Sequence, residues 1–308
     1  MLRSAKSAAP ATKASGLSSF PPVFRKGPAL AGLFFLWVAA SCFAQGDAKR
    51  GEYLAKAGGC LGCHTVEPKE GSQDKPVPFA GGRALKTPFG TFYGPNITPH
   101  PEAGIGKWSE ADFMRAMREG RRPDGANYFP AFPYPSFTLI SDADLRDLWA
   151  YLRSLPQSNR QSEAHDLGLL YRWRFLVNFW KWMFFTPGPF APDAAKSAQL
   201  NRGAYLVQAL GHCGECHTPR SFLGGPKKDQ YLAGAKDIAP NLTPTRLKKW
   251  GDADLRNFLT TGLTDDGDVP AKEMGEVIAN TTSQLTPEDL GAMIAFLRTL
   301  PPLPEEGK

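Results

Sequence analysis

Along two stretches of the chain the apolar residues fall three and four apart, the spacing of a helix with one buried side. Leu145, Leu148, Leu152 and Leu155 share a face of a segment that opens at Ser141 and stops at Pro156; Leu290, Met293, Leu297 and Leu300 do the same between Thr286 and Pro301. Ser141 with Asp144, and Thr286-Pro287 with Asp289, are helix-start signals. The likeness reaches further up the chain. Arg50-Gly51-Glu52-Tyr53-Leu54 returns as Arg202-Gly203-Ala204-Tyr205-Leu206, and Asn96-Ile97-Thr98-Pro99 as Asn241-Leu242-Thr243-Pro244. Trp108 and the helix pattern behind it return at Trp250. Matches in one order at nearly one offset mark a duplicated unit of about 105–110 residues. Each copy predicts three helices separated by long loops, and no alternating run is long enough for a strand. The expected fold is mostly α, with repeats at 46–156 and 197–304 and a connector at 157–196.

The connector opens polar and becomes aromatic-rich from Leu167 to Phe185. Arg172, Arg174 and Lys181 interrupt it, so it does not read as a membrane span. The expectation is a connector helix whose Trp173, Leu176, Phe179, Trp180 and Met183 pack against both repeats; a partner-docking or membrane-surface patch is the alternative. At the other end, residues 1–44 combine a basic, Ser- and Pro-rich stretch, the apolar run Ala29–Ala40, and the small-residue segment Ser41-Cys42-Phe43-Ala44. That is the anatomy of a secretory signal cut after Ala44. An uncleaved anchor and a lipid-modified Cys42 are the rival readings, and all three carry the body across the inner membrane into a bacterial periplasm, an oxidising compartment.

Composition narrows the function. The 308 residues carry a formal charge of +6, but residues 1–44 hold five cations and no acid, leaving the rest at only +1. A nearly neutral body without a basic stripe is no nucleic-acid binder. The 31 glycines and 28 prolines make the repeats loop-rich. Small domains of this kind, built of short helices, need something besides side chains to complete a core.

Four of the five cysteines supply the candidate. Cys60-Leu61-Gly62-Cys63-His64 and Cys213-Gly214-Glu215-Cys216-His217 occupy equivalent places in the repeats. Two thiols three positions apart can add to the two vinyl groups of one porphyrin, and the adjacent imidazole then reaches its iron. A redox Cys-x-x-Cys pair needs no histidine in both copies. A four-cysteine zinc knuckle would require the pairs to converge and would leave both histidines idle. Disulfides closing two-residue loops would stabilise little. The motif therefore predicts two covalently bound haem c groups, with Cys60, Cys63, Cys213 and Cys216 as attachment residues and His64 and His217 as iron ligands.

With these residues the chain resembles periplasmic dihaem class I cytochromes c, above all the cytochrome subunits of bacterial alcohol- and aldehyde-type dehydrogenases. The resemblance spans residues 48–303 and includes Thr87-Pro88-Phe89-Gly90-Thr91, both Asn-x-Thr-Pro runs, Gly104-Ile105-Gly106 with Trp108, Pro133–Phe137, and Asp266-Gly267-Asp268. It implies two tandem class I cytochrome c domains joined by the aromatic-rich helical connector, the first and last helices of each domain crossing near a haem edge. It also implies a methionine as sixth iron ligand in the loop before the last helix. In the second copy this is Met274, seven residues after Gly267. In the first copy the same count from Gly125 reaches Phe132, which cannot bind iron. Met117, His100, Met183, His165 and His212 are the substitutes, beside an open or water-bound iron. Asn96 and Asn241 are expected to order loops against the haems, and Trp108 and Trp250 to wall them.

The expected function is single-electron transfer from a periplasmic dehydrogenase toward a terminal oxidase or another cytochrome. Membrane association through the N-terminal segment is a further expectation. The competing reading is a haem enzyme with an open catalytic iron beside Phe132, acting on peroxide, a sulfur oxyanion or a nitrogen oxide.

Overall fold

The computed structural model describes residues 46–67, 75–264, 267 and 269–305. The secretory segment at 1–44 with Cys42, and Asp266 and Asp268, lie outside the described residues. In the first repeat the chain forms α1 (Ala48–Ala57), α2 (Cys60–His64), β1 (Ala84–Thr87), β2 (Gly90–Tyr93), α3 (Glu110–Glu119), α4 (Tyr134–Phe137) and α5 (Asp142–Ser154). The connector contributes β3 (Asp166–Leu167) and α6 (Leu176–Phe184). The second repeat forms α7 (Ala198–Tyr205), α8 (Gly214–His217), α9 (Pro244–Leu247), α10 (Asp252–Thr261), α11 (Lys272–Asn280) and α12 (Pro287–Arg298).

The last helix of each repeat follows its sequence signals. Ser141 accepts from the Asp144 N–H at 3.1 Å, and Thr286 from the Asp289 N–H at 3.2 Å. Leu145, Leu148 and Leu152, like Leu290, Met293 and Leu297, are buried in the core. These helices pack against the first helix of their repeat, α1 on α5 and α7 on α12. Glycine makes the crossing close. A Cβ on Gly51 would sit 1.9 Å from the Asp147 carbonyl oxygen, and one on Gly203 2.0 Å from that of Ala292. Gly203→Ala is therefore expected to overpack the crossing by about 1–3 kcal/mol. Thermal melting should fall by several degrees, with a parallel effect for Gly51→Ala.

The two repeats are locked by a reciprocal clamp. Arg50 pairs with Asp144 and Asp147 of its own repeat, and Tyr205 of the second repeat donates to Asp144 at 2.5 Å. In mirror fashion Arg202 grips Asp289 at 2.6 and 2.8 Å, and Tyr53 of the first repeat donates to Asp289 at 2.5 Å. Burial alone would raise the Asp289 carboxyl, but the hydrogen bonds from Arg202 and Tyr53 outweigh it and hold it below the usual carboxylate range. The stabilisation is complete above the unfolded aspartate pKa of about 3.9 and is lost as the pH falls through the lower folded value. Acid unfolding should thus lose its steepest limb below about pH 4 in Asp289→Asn, which a melting series across pH measures.

Two expectations need correction. Strands do occur: β1 pairs antiparallel with β2, Leu85 opposite Phe92, and β2 with β3, Gly90 opposite Leu167. They are short, and the connector supplies the third strand, so no local alternation announces them. The aromatic connector does not bury all its rings. Trp173, Leu176 and Phe179 are exposed, and Trp180 and Met183 half-buried. The cause is which groups hold α6 down. Lys181 donates to the carbonyls of Glu119 and Gly120, where α3 ends, and to Asn127 Oδ1. Arg174 donates to the Asn127 carbonyl and lies 4.4 Å from the Phe129 ring centroid. These polar anchors and buried Val177 face the protein, which turns the apolar side outward.

Candidate cofactor-attachment sites

Each Cys-x-x-Cys-His run folds as a single helical turn, α2 or α8, which puts the two cysteines of a pair on one face. The second run has one more residue between Arg202 and its first cysteine than the first has after Arg50. The structure absorbs it in a π-helical turn, Leu206–Leu210, where the Gly211 N–H reaches the Leu206 carbonyl at 2.7 Å. His212, the inserted residue, takes a positive φ of 38°.

The imidazoles are held identically. His64 Nδ1 lies 2.8 Å from the Pro95 carbonyl oxygen, and His217 Nδ1 2.7 Å from that of Pro240. A carbonyl only accepts, so Nδ1 carries the proton and Nε2 keeps its lone pair. Burial pushes both histidines below the usual imidazole range. A neutral ring with Nε2 free and Nδ1 tied to a carbonyl is the form that ligates a metal. Asn96 and Asn241 set the loops carrying these carbonyls. Their Oδ1 atoms accept from the N–H and Oγ1 of Thr98 and Thr243, and their Nδ2 groups donate to Ser158 and Arg160, and to Leu303. Both asparagines thereby tie the loop to the chain just after the repeat's last helix. The sequence pointed to the asparagines but not to the proline carbonyls, since a backbone acceptor leaves no residue-type signal.

None of the four cysteines is joined in a disulfide. Burial pushes Cys60 and Cys213 up to about 12, and also raises Cys63 and Cys216. A redox pair needs a lowered thiol, so that reading loses its chemical basis. Among the described residues no group of three or more His, Cys, Asp or Glu side chains converges to hold a metal ion, so the zinc knuckle is not assembled.

Each attachment helix is flanked by the other repeat. Ser136 of the first repeat donates to Glu215 of α8 at 2.9 Å, and Phe137 meets His212 edge-on at 5.4 Å. From the second repeat α11 packs against α2, with Glu276 paired to Arg83 at 2.8 Å. Met274 lies half-buried in the first turn of α11, not in a loop as the sequence reading had it. Phe132 sits in an aromatic cluster, 5.3 Å from Tyr128 and 5.8 Å from Phe137. Of its substitutes, Met117 is buried in the core on α3, and Met183 is half-buried on α6. His100 Nδ1 accepts the N–H groups of Glu102 and Ala103, and His165 Nδ1 that of Tyr93. His212 lies beside Gly59, next to Cys60. Trp108 and Trp250 pack half-buried on the core.

A profile of the cytochrome c family matches residues 48–156 and again 200–301. The chain is 41% identical over 266 residues to a protein named diheme cytochrome c-type from Cereibacter sphaeroides, covering 83% of this chain and 86% of that one. It is 38% identical over 274 residues to the cytochrome c subunit of a quinone alcohol dehydrogenase from Gluconobacter oxydans, and 37% identical over 272 residues to that of a gluconate 2-dehydrogenase from Pantoea cypripedii. These matches cover 83% and 82% of this chain but 55% and 59% of the subunits, so the chain spans little more than half their length. The chain belongs to the cytochrome c family. It is a dihaem electron-transfer cytochrome with two covalently bound haem c groups. The residues present fit that group: paired cysteines on one helical face, each pair followed by an imidazole whose Nδ1 is tied to a proline carbonyl, so that Nε2 is the nitrogen left to ligate iron. These three relatives are named as cytochromes or cytochrome subunits, and they lend the haem-enzyme alternative no support.

Proposed function

We propose that Cys60 and Cys63 hold one haem with His64 as proximal ligand, that Cys213 and Cys216 hold the other with His217, and that Met274 is the second axial ligand of the latter. Haem supplies the one-electron ferric–ferrous couple. The chain's own residues tune it: Pro95 and Pro240 fix the histidine tautomers, and a thioether from Met274 favours the reduced state over a second imidazole. No side chain acts as acid or base. The repeats are taken as 46–156 and 197–304, with 157–196 between them.

The electron donor is a periplasmic dehydrogenase and the acceptor an oxidase or another cytochrome, on the model of the relatives that are dehydrogenase subunits. Among the described residues no helix is long and apolar enough to cross a membrane; the N-terminal apolar run is the proposed means of membrane association. The observation that supports a relay best is the mutual flanking of the attachment helices, α2 by α11 and α8 by the loop bearing Ser136. The test is anaerobic reduction of the purified ferric protein by a dehydrogenase with its substrate, followed by haem absorbance. Both haems should be reduced in one-electron steps and reoxidised by an added cytochrome or oxidase. A first haem that stays oxidised, or turns over peroxide instead, would overturn the relay.

A further inference from the structure

The outward side of α6 reverses the ordinary polarity of a surface helix. Its cation and amide point inward: Lys181 onto the end of α3, and Asn178 Oδ1 accepting from Asn127 at 2.9 Å. Its rings point out. Trp182 is 79% exposed, Phe175 64% and Phe179 58%, with Trp173 and Tyr171 about half exposed. Phe179 stacks on Trp182 at 5.8 Å and Trp173 on Phe175 at 6.0 Å. Tyr171 meets Phe89 at 5.0 Å, and the 221–226 loop abuts Phe89 through Gly224, bringing in Phe222 at 94% exposure. Contiguous exposed apolar surface of this kind marks an interaction site.

Three observations select the occupant. From 167 to 192 the chain has no Asp or Glu; Arg174 and Lys181 are turned inward, and Arg172 is the exposed cation beside the face. That sign suits an anionic surface. Second, the face is led by rings, and Trp182, Trp173 and Tyr171 each join an apolar body to a single polar tip. Side chains of that kind gather at the headgroup level of a bilayer, where the ring lies in apolar surroundings and its tip meets water. Third, the apolar run Ala29–Ala40 places the same chain at a membrane, if only in transit. We propose that the aromatic face of α6 and its neighbouring rings is a peripheral contact with the anionic surface of the membrane, seating the protein on the bilayer. This contact is independent of the assignment of iron ligands and of the electron partners.

The experiment uses the full-length holocytochrome and vesicles of phosphatidylcholine and phosphatidylglycerol in equal parts. Phe179→Ser/Trp182→Ser should bind these vesicles roughly tenfold more weakly than wild type, because binding scales with the apolar area inserted. Ile238→Ser, which removes a 71% exposed residue elsewhere, should leave binding unchanged. All variants share the N-terminal segment, so the difference belongs to α6; an unchanged haem spectrum shows that the variants are folded. In the wild type, amides of 169–184 should exchange more slowly when vesicles are present. Equal binding by the double variant, or no added protection of 169–184, overturns the proposal. A double variant that binds vesicles normally but is reduced more slowly by the dehydrogenase also overturns it, and makes the face a protein-docking surface instead.

Discussion

Met274→Ala lowers the reduction potential of one haem and leaves the other where it was. Axial ligands command about 0.8 V of haem potential, and exchanging a thioether for water or a weaker donor is expected to shift one wave by on the order of 0.1–0.3 V. The weak long-wavelength charge-transfer absorption of thioether-ligated ferric haem should vanish in the same variant. The position of Met274 bears on the outcome, because its side chain is half-buried at the start of α11 and α11 itself packs against α2 of the other repeat. Met183→Ala is the control: its side chain is half-buried on α6, and both potentials should stay unmoved. Met117→Leu refines the picture for the first haem. Met117 is a core residue, so a volume-conserving swap should cost less than about 1.5 kcal/mol of stability and change no spectrum. A shifted first wave in that variant would make Met117 a ligand and leave Phe132 a bystander. Spectroelectrochemical titration of the three proteins checks all of this.

The larger structural effect belongs to the thiols. Cys60→Ser/Cys63→Ser should yield a protein with one haem, bound through Cys213 and Cys216, and Cys213→Ser/Cys216→Ser the reverse. Each loses more than a chromophore. Loop-rich repeats with short helices rely on the bound group to complete their cores, and each attachment helix is braced by the other repeat, α8 through Glu215 with Ser136 and α2 through its packing against α11. Thermal melting of either double variant should therefore drop for the whole body, and limited proteolysis should open both repeats. If removal of one pair left the other repeat's melting unchanged, the mutual flanking would be energetically idle.

What could be read in advance, and what could not, divides along physical lines. Capping side chains and apolar spacing act within a few residues, so α5 and α12 were legible down to Ser141 and Thr286. The repeat located both Cys-x-x-Cys-His runs and both asparagines, because those positions demand particular side chains. The carbonyls of Pro95 and Pro240 were invisible, since any residue supplies a carbonyl. The Arg50–Asp144–Tyr205 and Arg202–Asp289–Tyr53 clamps were equally hidden: each joins residues from both repeats, and Asp144 and Asp289 already had a local explanation near their helix starts. The strands escaped because β3 lies 73 residues beyond the end of β2, beyond the reach of any local pattern. The connector misled for a related reason. Its rings are what a buried helix carries, and only the inward bonds of Lys181 and Arg174 reveal which side faces water.

The central claim is that each Cys-x-x-Cys-His run holds its own haem through paired thioether bonds. The most direct measurement is the intact mass of the purified protein after unfolding in acid and detergent, read with peptide mapping. The account predicts a polypeptide that keeps two porphyrins, one on the peptide bearing Cys60 and Cys63 and one on that bearing Cys213 and Cys216. A bare polypeptide with haem released into the solvent, or a single modified peptide, would contradict it.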